Sequence, residues 1–142
     1  MNKTTQQTAL QALQSFVHSW ESRDIEALIN HLSQTKQTVM FGSGVDEKLI
    51  GKEEIKKQIL RDWQQSDSAS LVLLWNLLES SGSVSWISSD VGITALINDK
   101  TLKLNGRLTT VWENEDDAWR LVQWHLSTPE VHQRVGQSWP NQ

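Results

Sequence analysis

The chain has 142 residues, 17 of them acidic and 13 basic, for a formal charge of −4; a chain of this length makes one ordinary domain and can bury a core without help from metal or disulfides. It contains no cysteine, which removes disulfides, thiolate nucleophiles and cysteine-ligated zinc and fits a reducing cytoplasm, the expected location. The charges are scattered, with no basic stripe to suit nucleic acid; the polar opening from Met1 to Thr8 has no apolar run behind it, so neither a signal peptide nor a membrane span is expected.

Eight tryptophans stand beside two phenylalanines and no tyrosine, so large indole surfaces must line a core or a pocket. From Thr8 onward, Leu10, Leu13, Phe16, Val17 and Trp20 recur at helical spacing and predict a helix of about four turns. Glu21 to Arg23 breaks that pattern. Asp24 is then placed to cap a shorter helix carrying Ile25, Leu28, Ile29 and Leu32. His18 and His31 lie off both stripes and are expected at the surface.

Between Thr38 and Ile50 the pieces T-V-M-F and K-L-I flank the turn-forming residues Gly42 to Asp46, which predicts a hairpin. Gly51 leads into a third helix in which Ile55, Ile59 and Trp63 are four apart and two glutamates occupy the first turn, favourably for the helix dipole. Leu71 to Leu78 reads as a strand because it is short and ends in Ser80-Ser81-Gly82-Ser83. Val84 to Ile97 is a second strand, with a bulge expected at Gly92. Strands near 101–112 and 119–127 follow, joined by the acidic connector Glu113 to Asp117. Alternation places Leu108, Thr110, Trp112, Val122, Trp124 and Leu126 inward, and Arg107, Thr109, Leu121, Gln123, His125 and Ser127 outward. Trp139, in the polar tail, is expected to make a local packing contact. The plan is α+β, a curved mixed or antiparallel sheet wrapped around three helices from the N-terminal half, in one domain over 8–129 with polar tails at 1–7 and 130–142.

The ordered segments F-G-S-G-V-D-E-K-L-I-G-K-E-E-I, W-I-S-S-D-V, G-R-L-T-T-V-W and W-R-L-V-Q-W-H-L-S-T-P resemble the SnoaL-like branch of the nuclear transport factor 2-like superfamily, from about Leu10 to Pro129. The closing hairpin also looks like the association domain of calcium/calmodulin-dependent protein kinase, matched by Thr109, Val111, Trp112, Trp119, Val122, His125 and Ser127. The resemblance implies a cone-like fold with an interior pocket and a dimer or ring joined through the outer face of the sheet. It also sets limits. The kinase domain's pocket arginines correspond to Thr94, Thr110 and Leu126, which disfavours an anionic ligand. Ketosteroid isomerases need a tyrosine, absent here, and a carboxylate where this chain reads Phe41-Gly42. The acid that SnoaL-type cyclases place in their cavity has no counterpart on the strand from Trp119 to Ser127.

The residues expected to touch a ligand are Trp20, Phe41, Trp63, Trp86, Asp90, Thr94, Thr110, Trp112 and Leu126. Asp90 is the candidate for chemistry, because alternation with Trp86 and Thr94 is read as turning it into the cavity, where burial would raise its pKa into the range of a general acid or base. Solvation, or pairing with Arg107, is the alternative for Asp90; an Asp-Arg-Asp set like that of limonene-epoxide hydrolase is opposed by parity, which puts Asp90 and Arg107 on opposite faces. Asp62, beside Trp63, is a second possible acid, with a helix-surface salt bridge as its ordinary role. His125 and Ser127 invite a nucleophile reading; lacking an orienting carboxylate, they are expected at a subunit contact with Arg107, Thr109 and Gln123. Histidine spacing offers no metal site, and no cofactor is expected. Two functions remain open: a non-enzymatic homodimer binding a small apolar molecule, and an isomerase, lyase or hydrolase using Asp90.

Overall fold

The computed structural model describes residues 7–141. The polar tails read from the sequence fall partly beyond it, since residues 1–6 and 142 lie outside the described residues. Helix α1 (Ala9–Glu21) begins at a capping box, in which the Gln11 amide donates to the Thr8 hydroxyl at 3.1 Å and the Thr8 amide donates to the Gln11 side-chain oxygen at 2.9 Å. Two donors that the first turn leaves without partners are thereby satisfied. The helix buries Ala9, Ala12, Leu13, Phe16 and Val17. Arg23, at φ 60°, turns the chain into α2 (Ile25–Asn30), where the Asp24 carboxylate accepts from the Ala27 amide at 3.1 Å.

Strands β1 (Val39–Phe41) and β2 (Lys48–Ile50) form the expected hairpin, and α3 (Lys52–Gln64) follows Gly51. Four long strands complete the chain: β3 (Ser68–Ser81), β4 (Val84–Ile97), β5 (Lys100–Glu115) and β6 (Ala118–Ser127). One six-stranded sheet results, in the order β2-β1-β6-β5-β4-β3, with β1 parallel to β6 and the other neighbours antiparallel. The return of β1 to the edge of β6 brings the N-terminal half against the far end of the sheet. No helix among the described residues is long and apolar enough to cross a membrane.

Four local expectations are corrected. The acidic connector shrinks to Asp116-Asp117, both at positive φ, because β5 extends through Glu115. Glu115 is held there by hydrogen bonds from the Ser33 hydroxyl at 2.6 Å, the Gln34 amide at 3.0 Å and the Thr35 hydroxyl at 2.9 Å, and Glu113 pairs with Lys36. Gly92 is regularly paired with Val72 and Asn105, and the irregularity in β3 falls at Leu74 instead. A bulge at Val122 brings Leu121 opposite Trp112, so Leu121 points inward and is fully buried, against simple alternation. His31 is half-buried, edge-on to Phe16 at 6.0 Å with Nδ1 2.8 Å from the Ala27 carbonyl oxygen; burial lowers its pKa.

The core lies between the helices and the concave face. Leu13, Phe16, Leu28, Leu32, Ile87, Leu108, Trp112 and Leu121 are essentially inaccessible to solvent, and each such side chain contributes roughly 1.5–3 kcal/mol of gross burial energy. Trp112 is the largest of them. Its indole N–H donates to the equally buried Thr110 hydroxyl at 2.8 Å, so the bulkiest core group carries no unmet donor. Trp139, by contrast, is 79% exposed and does not pack as expected.

Candidate functional site

A cavity of about 90 Å³ remains where α1, α3 and the β1–β2 hairpin face the sheet. Its walls come in matched pieces. Phe16, Val17 and Trp20 project from α1; Gln58, Ile59 and Asp62 project from α3 at the same spacing. Residues four apart share a helix face, which is why each helix presents a first and last wall residue together. The hairpin adds Met40, Gly42, Glu47 and Leu49, and the sheet adds Leu71, Ile93, Trp124 and Leu126. Phe16 and Trp124 meet with ring centroids 5.2 Å apart and planes tilted by 45°.

The helices around this cavity are fastened by side chains that reach across to backbone. The Trp63 indole donates to the Trp20 carbonyl oxygen at 3.0 Å, while the Arg23 guanidinium donates to the Trp63 carbonyl oxygen at 2.6 Å and to both oxygens of Ser66 at 3.0 Å. These bonds satisfy carbonyls that the ends of α1 and α3 would otherwise leave open. The Leu71 amide donates to Glu21 at 2.8 Å, which ties β3 to the end of α1.

Three polar side chains, Glu47, Gln58 and Asp62, interrupt the apolar wall. Asp62 accepts from the Gln58 amide at 2.8 Å. Burial raises its pKa, and the neighbouring Glu47 charge raises it further, against the Gln58 bond, the Arg61 charge and the Trp20 side chain. A carboxyl in that setting can hold a proton, donate a hydrogen bond, or attract a cation.

Of the residues expected to touch a ligand, Trp20 and Leu126 line the cavity. Trp112 and Thr110 face inward as expected, but they are packed into the core. Trp63 spends its indole N–H on α1 and lies outside the wall. Phe41 is on the outer side, its ring 5.0 Å from that of His125, and Met40 takes the inward position.

The expectation for β4 is overturned. Ser85, Ile87, Ser89 and Val91 are buried while Trp86 and Asp90 are exposed, so Trp86, Asp90 and Thr94 belong to the outer face. The aliphatic set marks the inner side of this strand, and the indole of Trp86 is a poor guide to it. Asp90 sits directly opposite Arg107, 3.9 Å from its guanidinium, with both side chains largely in water. They share a face, contrary to the parity reading. Together they border an open groove beside Leu74, Trp75 and Pro129. An Asp90 general acid or base in the cavity is therefore excluded by position.

Asp62 is the acid that does face the cavity, in place of the helix-surface salt bridge expected of it. A signal for it exists in the sequence: Ile55, Gln58, Ile59 and Asp62 fall at i, i+3, i+4 and i+7, so two polar residues occupy the buried stripe of α3. Glu47, in a loop, gives no such sign. Arg107, Thr109, Gln123, His125 and Ser127 are all exposed on the outer face. Among the described residues, no three histidine, aspartate or glutamate side chains gather as a metal would require.

Three helices packed against a six-stranded mixed sheet with a hollow between them make the cone fold of the nuclear transport factor 2-like superfamily, and solved structures share it. A superfamily member from Salmonella enterica serovar Typhimurium LT2 aligns at TM-score 0.76 and 20% identity, over 91% of this chain and 93% of its own. A Streptomyces avermitilis protein provisionally named a dehydratase of the same family gives 0.77 at 14%, over 85% and 93%. A provisionally named calcium/calmodulin-dependent protein kinase II association domain from Xanthomonas campestris gives 0.76 at 14%, over 92% and 99%. No curated protein matches the sequence. The family model for the SnoaL-like domain matches residues 9–130, and the chain belongs to that family.

Proposed function

We propose that this chain is a non-enzymatic, cytoplasmic binding domain that works as a homodimer and holds a small apolar molecule in the cavity between α1, α3 and the sheet. The observation that carries this reading is the wall itself. Phe16, Val17, Trp20, Met40, Leu49, Ile59, Leu71, Ile93, Trp124 and Leu126 form most of the wall, and a concave, largely apolar hollow with a few polar groups is the form that small-molecule sites take. Two wall residues are tryptophans, so occupancy has an optical signal. A screen of small hydrophobic metabolites should find compounds that shift tryptophan emission and raise the melting temperature, because a ligand at a hundredfold excess over its Kd stabilises the fold by about 2.7 kcal/mol. Ile59→Phe, which fills the hollow from α3, should abolish both responses. Compounds acting equally on wild type and Ile59→Phe would refute the site.

The outer face supports self-association. Val72, Leu74, Trp75, Leu77 and Trp86 are exposed there, on the same face as Arg107, Thr109, Gln123, His125 and Ser127, and contiguous exposed apolar surface marks an interface. Sedimentation at low micromolar concentration should show dimers that Trp75→Glu dissociates; monomers throughout would refute this part. A second reading, an isomerase, lyase or hydrolase, is favoured by one observation: Asp62 faces the cavity with its pKa raised by burial. It requires turnover of a bound compound that Asp62→Asn abolishes while binding persists.

A further inference from the structure

Given the binding role proposed for the hollow, on which this inference rests, the wall also carries information about its guest. Two of its side chains can ionise, Glu47 and Asp62, and both are acids. Arg61, next to Asp62 in sequence, is engaged by Asp46 at 2.8 Å and lies 3.8 Å from Glu47, and makes no ion pair with Asp62. Asp62 is left with neutral donors, the Gln58 amide at 2.8 Å and the Trp20 side chain.

Glu47 is held against the turn by the absence of side chains beneath it. A Cβ at Gly42 or at Gly44 would stand 2.1 Å from a Glu47 carboxylate oxygen, so the pair of glycines creates the space in which that carboxylate folds over the turn, where Glu47 borders the hollow. The rings of Phe16, Trp20 and Trp124 line the same hollow. An anion would meet two acids here, and the nearest cation, Arg61, is already engaged by Asp46 and Glu47. A neutral apolar molecule would leave the Asp62 carboxylate stripped of water with no ion pair, which is costly. A cation with an apolar body answers both: its charge restores what burial took from the Asp62 carboxylate, and aromatic faces attract cations as well.

We infer that the cavity takes a small apolar amine, with its ammonium group between the Asp62 and Glu47 carboxylates and its hydrocarbon body against Phe16, Trp20 and Trp124. The wall sets the class and the size. A saturated five-membered ring bearing one amino group suits a hollow of about 90 Å³.

Cyclopentylamine and cyclopentanol, nearly equal in shape, test this at near-neutral pH by calorimetry and tryptophan emission on the full chain. The amine should bind at least about tenfold more tightly than the alcohol, and Asp62→Asn should weaken the amine by about tenfold while changing the alcohol by less than about twofold. Glu47→Gln, at the rim, should act in the same direction and stands in if Asp62→Asn does not fold. The alcohol binding as well as the amine, or Asp62→Asn weakening both alike, overturns the amine inference and leaves an apolar site standing. Binding of neither compound overturns the apolar reading and the amine inference together.

Discussion

Gly106 and Gly92 lie in neighbouring strands, one on each face of the sheet, and their replacement by alanine should have opposite effects. A Cβ at Gly106 would stand 2.7 Å from the Ser127 carbonyl oxygen and 3.2 Å from Leu126 Cδ1. The first of these is backbone of the adjacent strand and cannot swing aside, so β6 must move or β5 must bend. Overpacking of this kind costs about 1–3 kcal/mol, while exchanging glycine for alanine recovers about 0.4–1 kcal/mol through the unfolded chain. The net loss for Gly106→Ala is about 1–2 kcal/mol, which for a chain this long lowers the melting temperature by about 2–8 °C. At Gly92 the nearest atoms to a Cβ are Leu74 Cδ1 at 3.7 Å and Asn105 Oδ1 at 3.8 Å, ordinary contacts. Gly92→Ala should therefore be neutral or stabilising by up to about 1 kcal/mol. Urea denaturation followed by tryptophan emission measures both. Gly106→Ala as stable as Gly92→Ala would refute the close approach of β5 to β6, and with it the position given to Leu126 in the cavity wall.

Thr110→Val removes the acceptor of the buried Trp112 indole N–H and should cost about 1–3 kcal/mol by denaturation, with little of that loss when Trp112 is already phenylalanine; equal losses in both backgrounds would count against the bond. Asp62 has a folded pKa above its unfolded one, so the native state binds a proton that the unfolded chain has released, and this residue's contribution to stability falls as pH rises from the ordinary carboxylate range through the raised value. Asp62→Asn should therefore gain stability relative to wild type as pH increases upward from the ordinary carboxylate range, and a difference independent of pH would refute burial of the carboxyl.

Most of the fold was legible because its signals are local. The apolar stripe from Leu13 to Trp20, the cap at Asp24 and the turn residues around Gly44 each act within a few residues of chain, and the elements they define are present. Strand phase was harder. On β6, Trp124 and Leu126 turn inward as alternation predicts, yet the bulge at Val122 reverses Leu121, and nothing in L-V-Q-W announces an extra residue. On β4 alternation separates the two faces correctly but assigns them the wrong way round, because a large indole at Trp86 outweighs Ile87, Val91 and Ile93. The parallel pairing of β1 with β6 joins Val39 to Gln123 across most of the chain. Sequence patterns within either strand carry no record of that partner.

The division of labour within the cone explains why the site was the least legible part. Trp112, Leu108 and Leu121 fill one region of the interior completely, and this filling is what stabilises the sheet against α1 and α2. The hollow survives where α3 and the short hairpin close over the sheet, and there Glu47, Gln58 and Asp62 enter from elements fastened by bonds such as Arg23 to Trp63 and Trp63 to Trp20. Changes in those three side chains would alter the polarity of the hollow while leaving the sheet's own pairing untouched. The chemistry of the hollow is thus read from α3 and the Gly42–Glu47 turn, where its acids are, more than from the strands that carry the family resemblance.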